Sequence, residues 1–196
     1  RKAEDWQTAN DAGSIVVETP EGGDITGVKA GPGHVVVFKR YAMFELYGTG
    51  PENYRLVPIS DRIGCVSNNS IVTLDGVMRW LGPDGIYEYT GGAAPRKEFA
   101  LPVQEYVTRV TKGYEERACA ATDGKRYYLA IPIDGSTDPN IILEYDPTFG
   151  TWYVWTPPAN VQSLATRKER VFAGLDDGRI LMFDPSATTD DGADIS

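Results

Sequence analysis

Histidine and cysteine are scarce in this chain of 196 residues, which has one histidine, His34, and two cysteines, Cys65 and Cys119. A catalytic triad would need His34 beside a nucleophile and an acid, and no G-x-S-x-G elbow is present. We therefore expect His34 at a turn or strand end. The cysteines match no C-x-x-C spacing, which together with the single histidine argues against a zinc site. We expect two free, buried thiols, with one disulfide as the alternative.

Long apolar runs and net positive charge are also missing. No run approaches the ~18 residues of a membrane span. The 19 basic and 28 acidic side chains give a net charge of −9, which argues against general binding to phosphate backbones. The glycine-rich stretches Gly22-Gly23 and Gly31-Pro32-Gly33 match neither a P-loop nor a dinucleotide fingerprint. We expect no membrane span, no nucleic-acid partner and no cofactor.

Turn-forming residues are plentiful, with 21 glycines and 13 prolines. Between these turns lie short runs of β-branched and aromatic residues, of about five residues each, as in all-β proteins. Helical periodicity is confined to residues 102–110, with Pro102 suited to the first helical position and Gly113 to the end. This pattern predicts an all-β fold with one short helix.

The runs recur as a four-strand unit, in which the third strand begins at Met43, Ile86, Ile141 and Ile180. These steps of roughly 40 to 55 residues resemble the spacing of β-propeller blades. We predict a β-propeller-like array of about four four-stranded blades, at residues 24–60, 63–101, 115–157 and 160–186. A β-sandwich is the alternative, but it does not predict a four-strand period.

The two ends of the chain lie outside these units. Residues 1–23 form an N-terminal segment whose predicted strand 14–19 is available to close the ring. Residues 187–196 are a tail or the start of a continuation. The fourth unit lacks its outer strand, so either strand 14–19 completes it or the array belongs to a larger propeller.

Two sets of residues are candidates for binding sites. Trp152 and Trp155 would suit a sugar-stacking platform, although packing between blades is the simpler interpretation. Asp190, Asp191 and Asp194 resemble part of a calcium loop but lack the glutamate that ends an EF-hand, and a solvated turn explains them as well. Carboxylates are numerous enough for a glycosidase pair, but none is marked out, so we predict no catalytic residues.

Several runs together resemble a family, the β-propeller proteins of tailed-bacteriophage virions and prophages. The most specific block extends from Gly64-Cys65-Val66 to Gly85-Ile86-Tyr87, and further matching runs are Asp24–Val28, His34–Lys39 and Leu143–Asp146. The resemblance implies a non-enzymatic structural component of the tail, neck or head–tail connection, assembled in the bacterial cytoplasm.

Its implied partners are other virion proteins and copies of itself. The alternatives are a carbohydrate- or protein-binding propeller module and, third, a propeller glycosidase.

Overall fold

The computed structural model describes residues 15–19, 23–184, 189–190 and 193–194. Within this part, the first sheet has the order β1 (Ile25–Gly31), β2 (His34–Lys39), β3 (Met43–Tyr47) and β4 (Arg55–Ser60). The second has β5 (Val72–Leu74), β6 (Val77–Leu81) and β7 (Ile86–Tyr89). The third has β8 (Cys119–Thr122), β9 (Tyr127–Ile131), β10 (Ile141–Asp146) and β11 (Thr151–Trp155).

The fourth sheet has β12 (Val161–Arg167), β13 (Arg170–Leu175) and β14 (Ile180–Met182), and a separate hairpin joins β15 (Thr189–Asp190) to β16 (Ala193–Asp194). All of these pairings are antiparallel between consecutive strands. The predicted array of about four β-sheet units is thereby confirmed. Tight turns such as Asp75-Gly76, whose φ angles are 51° and 76°, fit the left-handed conformation of short hairpin loops.

The second sheet departs from the predicted four strands. Arg96 makes an isolated bridge with Glu88, and the chain then turns into a 3-10 helix, Glu98–Val103, followed by α1, Gln104–Thr108. The fourth strand predicted for the blade at residues 63–101 is reduced to this bridge, and Phe99 packs on Tyr145 and Trp152 of the third sheet. The predicted helix is present, and Val103 and Val107 are buried as its periodicity requires.

Each pair of neighbouring sheets encloses an apolar cluster. Phe38, Met43 and Trp80 belong to the cluster between the first and second sheets. Leu81 and Leu143 lie between the second and third, and Tyr128 and Val171 lie between the third and fourth. Burying each large apolar side chain contributes about 1.5–3 kcal/mol, so these contacts hold the sheets in a fixed stack.

A further cluster lies on the outer face of the first sheet, which faces away from the second. It contains Val17, Val37, Ala42 and Phe44, and no residue of the fourth sheet. Among the residues described, the first and fourth sheets therefore share no apolar core, and the sheets form an open arc.

The strand expected at 14–19 does not close the ring in this structure. Ser14 lies outside the described residues, and residues 15–19 are assigned to no strand. Val17 packs on the first sheet, in the same cluster as Val37 and Phe44. The segment thus covers one end of the arc instead of completing the fourth sheet.

Candidate functional site

Among the strands that the structure describes, none lies beside one edge of the fourth sheet. Strand β14 pairs with β13 alone, whereas the first and third sheets each continue to a fourth strand. The outer backbone groups of β14 therefore face no strand among those the structure describes. Such an edge is a template for pairing with another extended segment.

Apolar side chains flank this edge on both faces. Ile180 and Met182 are 74% and 41% exposed on the side that faces away from the third sheet. Tyr153 and Trp155 are 48% and 44% exposed on the side of β11 that faces the fourth sheet. We call β14 together with these four side chains the open edge. An added strand would have apolar contacts on both of its faces.

The two tryptophans predicted as a stacking platform lie on opposite faces of β11. Trp152 pairs across the sheet with Tyr145, packs on its ring at 4.8 Å and donates a 2.9 Å hydrogen bond to the carbonyl of Phe99. Trp155 faces the other way, towards Phe183. Their separation of three positions on a strand already places them on opposite faces. The structure therefore brings only Trp155 to the candidate site.

Trp155 is held by a buried carboxylate. Its Nε1 donates a 2.7 Å hydrogen bond to Oε2 of Glu144, and Oε1 of Glu144 lies 3.1 Å from Nη1 of Arg126. Burial raises the pKa of Glu144, against the opposing effects of the Trp155 N–H and Arg126. These contacts fix the indole at the open edge.

A cleft of about 570 Å³ opens beside this network, between turns of the second, third and fourth sheets. Its carboxylates support the turns that carry them. Asp123 accepts hydrogen bonds from the backbone N–H groups of Lys125 and Arg126 and from the Tyr128 hydroxyl. Burial by itself raises the pKa of Asp146, but hydrogen bonds from the Thr148 N–H and from Arg126 hold it below its usual value.

The innermost strands line a second, open cavity of about 390 Å³. It is lined by side chains from all four sheets and the turn before β5, among them Lys29, Asn68, Val72, Cys119 and Ser163. Asn68 is engaged there, because its Oδ1 accepts a 3.0 Å hydrogen bond from the backbone N–H of Val28.

Sequence reasoning missed a buried polar cluster between the first and second sheets. Glu45 accepts 2.8 Å hydrogen bonds from the hydroxyls of Tyr47 and Tyr89, and its Oε1 lies 3.1 Å from Nε2 of His34. His34 is indeed at the start of a strand, with Nδ1 3.0 Å from the carbonyl oxygen of Pro32. Burial and the hydrogen bond to Glu45 raise the pKa of Tyr89. The signal was Glu45 itself, a charged residue on the inward face of an apolar strand.

A second missed group is Arg79, buried between the second and third sheets. Its Nη2 lies 3.3 Å from Oε2 of Glu88, and its guanidinium lies over the rings of Phe99 and Tyr145, at 5.6 and 5.3 Å from their centroids. This arrangement joins the sheets through cation–π contacts.

The proposed calcium ligands are only partly covered by the structure. Asp190 and Asp194 lie on the two strands of the hairpin β15–β16, and Asp191 lies outside the described residues. In the part of the chain that is described, no group of three or more His, Cys, Asp or Glu side chains is placed to hold a metal ion. That part also contains no helix with the length and hydropathy of a membrane span.

No family model and no curated protein sequence matches the chain. Several solved structures are similar to it in fold. The WD40 domain of Neurospora crassa Pan2 has a TM-score of 0.50 at 11% identity over 85% of this chain and 48% of that chain.

The WD40 β-propeller domain of Doa1 has a TM-score of 0.50 at 12% identity, over 83% of this chain and 50% of that chain. The computationally designed Ika4 protein has a TM-score of 0.49 at 12% identity, over 82% and 91%. The chain thus spans about half the length of the WD40 chains that it matches. At these identities the WD40 likeness shows the β-propeller fold and nothing of the function.

Proposed function

We propose that this chain is a non-enzymatic assembly component, a rigid propeller-type scaffold that binds another polypeptide along the open edge. The observation that carries the proposal is the side of β14 that pairs with no strand in the described part of the chain. It is flanked by the exposed side chains of Tyr153, Trp155, Ile180 and Met182. A strand added there gains main-chain hydrogen bonds from the edge and side-chain contacts on alternate positions.

The construction of the sheets supports this mode of binding. The first and third sheets each have a fourth, outer strand, and Ile59 of β4 packs in the cluster that contains Tyr87 and Tyr89 of the second sheet. An outer strand on β14 would occupy the corresponding position in the fourth sheet. It would cover Tyr153 and Trp155, which are about half exposed in the free chain.

The roles of the buried carboxylates favour a scaffold over an enzyme. Glu45 and Glu144 are hydrogen-bonded to side chains that fix the sheets, and Asp123 caps its own turn. Groups committed to such contacts serve stability, whereas a glycosidase needs two carboxyl groups facing a sugar from opposite sides.

The finer part of the proposal is the setting, a tailed-bacteriophage virion, at the tail, neck or head–tail connection, after assembly in the bacterial cytoplasm. The support for it is the sequence resemblance in the block from Gly64 to Tyr87 and the runs around it. Its partners would be other virion proteins and copies of the chain.

The test is incorporation into gradient-purified particles, measured by quantitative mass spectrometry. We expect the wild-type chain to be present and the double variant Tyr153→Lys, Met182→Lys to fall by about tenfold, as for a loss of about 1.4 kcal/mol in binding. Leu101→Lys is the matched control, because Leu101 is 59% exposed on the 3-10 helix that connects the second and third sheets.

Absence of the wild-type chain from particles would overturn the virion assignment. Equal incorporation of the double variant would overturn the role of the open edge. The non-enzymatic proposal would be overturned if the chain hydrolysed a glycoside and lost this activity on replacement of Asp123 or Asp146, which line the 570 Å³ cleft.

A further inference from the structure

We infer that the partner at the open edge is a second copy of this chain. Two copies close head to tail into a ring of eight sheets, in which residues 15–19 of each copy form the outer strand of the other copy's fourth sheet. The inference rests on the proposed function, because it names the polypeptide that the open edge binds.

The first step is the conformation of residues 15–19. The exposed fractions are 37% for Ile15, 73% for Val16 and 8% for Val17, and Glu18 is exposed where Thr19 is half-buried. This alternation has the period of two that is typical of a β-strand. Nevertheless, these residues belong to no strand in the structure. The segment therefore has the alternation of a strand, but no strand among those described pairs with it.

The second step is the place of the segment. Val17 packs in a cluster with Phe44 of β3, and Nζ of Lys39 lies 3.4 Å from Oγ1 of Thr19. Elsewhere in the molecule, the outer strand of one sheet packs near the third strand of the next. Trp155 of β11, for example, contacts Phe183 just after β14. Residues 15–19 thus lie on the first sheet where the outer strand of a preceding sheet belongs.

The third step is the complementarity of the two ends of the arc. The fourth sheet directs Ile180 and Met182 away from the third sheet, and Phe172 lies opposite Met182 on the same face. The equivalent faces of the first three sheets each pack on the following sheet. The first sheet presents the receiving face, with Val28 50% exposed and Leu46 and Leu56 half-buried.

The fourth step is closure. One chain does not pack its fourth sheet on its own first sheet, because the cluster on the first sheet contains no fourth-sheet residue among those described. A second copy supplies both missing faces at once. Two arcs of four sheets make eight, which lies within the usual range of four to eight propeller blades.

The two contacts of such a ring are identical and are related by a two-fold axis, so together they make one isologous interface between the copies. In each of them, Val16 of one copy points towards Tyr153 and Trp155 of the other. Since Val16 is exposed in the single chain, its replacement tests the contact without disturbing the fold.

The experiment is native mass spectrometry of the full chain with light scattering at micromolar concentration. We expect the wild type at 43 kDa, twice the 21.5 kDa chain mass. Ile180→Lys, Val28→Glu and Val16→Lys should each give a monomer of 21.5 kDa. Leu101→Lys, the matched exposed control, should remain a dimer. Thermal unfolding of each variant checks that the monomers are folded.

Mixing the Ile180→Lys and Val28→Glu chains provides the sharper test. The first variant keeps a native first sheet and the second keeps a native fourth sheet, so a mixed dimer has one intact contact and one Lys–Glu contact. We expect the mixture to recover the 43 kDa species, which neither variant forms alone.

A monomeric wild type overturns the inference. A dimer that survives Val28→Glu overturns the head-to-tail arrangement, and one that survives Val16→Lys overturns the added strand. If the chain is monomeric but still enters particles, the ring is wrong and the proposed function is retained. A dimer that is absent from particles removes the virion assignment and leaves the ring.

Discussion

Nη2 of Arg40 donates a 2.8 Å hydrogen bond to Oε1 of Glu115, although 75 positions separate the two residues in the chain. Arg40 lies in the turn between β2 and β3, and Glu115 begins the 3-10 helix Glu115–Arg117 that leads into the third sheet. The other carboxylate oxygen accepts a 2.8 Å hydrogen bond from the backbone N–H of Gly113. This contact joins the first sheet directly to the connection before the third.

Glu115→Gln should destabilise the fold by about 1 kcal/mol at neutral pH, because it weakens a charged hydrogen bond whose arginine is partly exposed. Burial by itself raises the pKa of Glu115, but its backbone contacts and Arg40 hold it below the usual value. A lowered pKa contributes stability above the unfolded-state value, and this contribution is lost as the pH falls through the folded value. The difference from wild type should therefore shrink below about pH 4. Urea titrations at neutral pH and below about pH 4 measure the difference in unfolding free energy between variant and wild type. Glu116→Gln, at an exposed residue, is the control.

Gly64 lies where the chain passes from the first sheet to the second. A Cβ there would lie 2.0 Å from the carbonyl oxygen of Lys39, and the Gly64 carbonyl accepts a 2.8 Å hydrogen bond from Nε1 of the buried Trp80. Gly64→Ala should cost about 3 kcal/mol or more, since backbone must move. In Gly174→Ala the new Cβ meets the Ser163 hydroxyl at 3.1 Å, and this control should lose much less. Equal unfolding midpoints would contradict the prediction.

Replacing Glu45 should destabilise the fold more than replacing any other member of the polar cluster between the first and second sheets. Glu45→Ala leaves two tyrosine hydroxyls and His34 without their partner in a buried site, and we expect a loss of about 3 kcal/mol or more. Tyr89→Phe removes a single hydrogen bond and should cost about 1 kcal/mol. Tyr54→Phe, at a 39% exposed residue, is the control. Chemical unfolding monitored by tryptophan fluorescence gives the three values, and a Tyr89→Phe loss equal to that of Glu45→Ala would contradict the order.

The strands were predictable because they depend on local chemistry. Turns such as Asp75-Gly76 and Asp123-Gly124 punctuate runs of apolar residues, and both appear at the expected hairpins. The contacts between sheets were not predictable in the same way. Nothing near Glu45 in the sequence indicates Tyr89, which lies 44 positions away, and Arg40 and Glu115 are further apart still. Such pairs depend on how the sheets stack, which turn chemistry does not encode.

At the open edge, too, the strands were predictable from the sequence and the contacts between sheets were not. The sequence predicted that the fourth unit would lack an outer strand and that 14–19 was strand-like. It did not predict that Val17 would pack on Phe44 of the first sheet. The first and fourth sheets both have strands of alternating apolar residues, so the pattern does not tell which of them the segment contacts. The location of Trp155 away from Trp152, by contrast, followed from strand periodicity alone.

Glu144 should give the opposite pH response to Glu115. Burial raises its pKa, so its contribution is fully present below the unfolded value and is lost as the pH rises through the folded value. Relative to wild type, Glu144→Gln should therefore gain stability as the pH rises from about 4 to about 7. We expect a change within about 1 kcal/mol, because Arg126 is partly exposed and still pairs with Asp146. Urea titrations across this range measure it, and a relative loss with rising pH would contradict it.

Cys65 and Cys119 should both resist alkylation in the folded chain. They are free and buried, Cys65 in the cluster between the first and second sheets and Cys119 in that between the third and fourth. Burial raises the pKa of Cys65 to about 12 and that of Cys119 to about 11. Since the thiolate is the reactive form, neither should react at neutral pH. Intact mass after iodoacetamide treatment should show no adduct in buffer and two in urea without reductant. A single adduct or none in urea would indicate a blocked or paired thiol, and rapid labelling in buffer would show that a cluster opens readily.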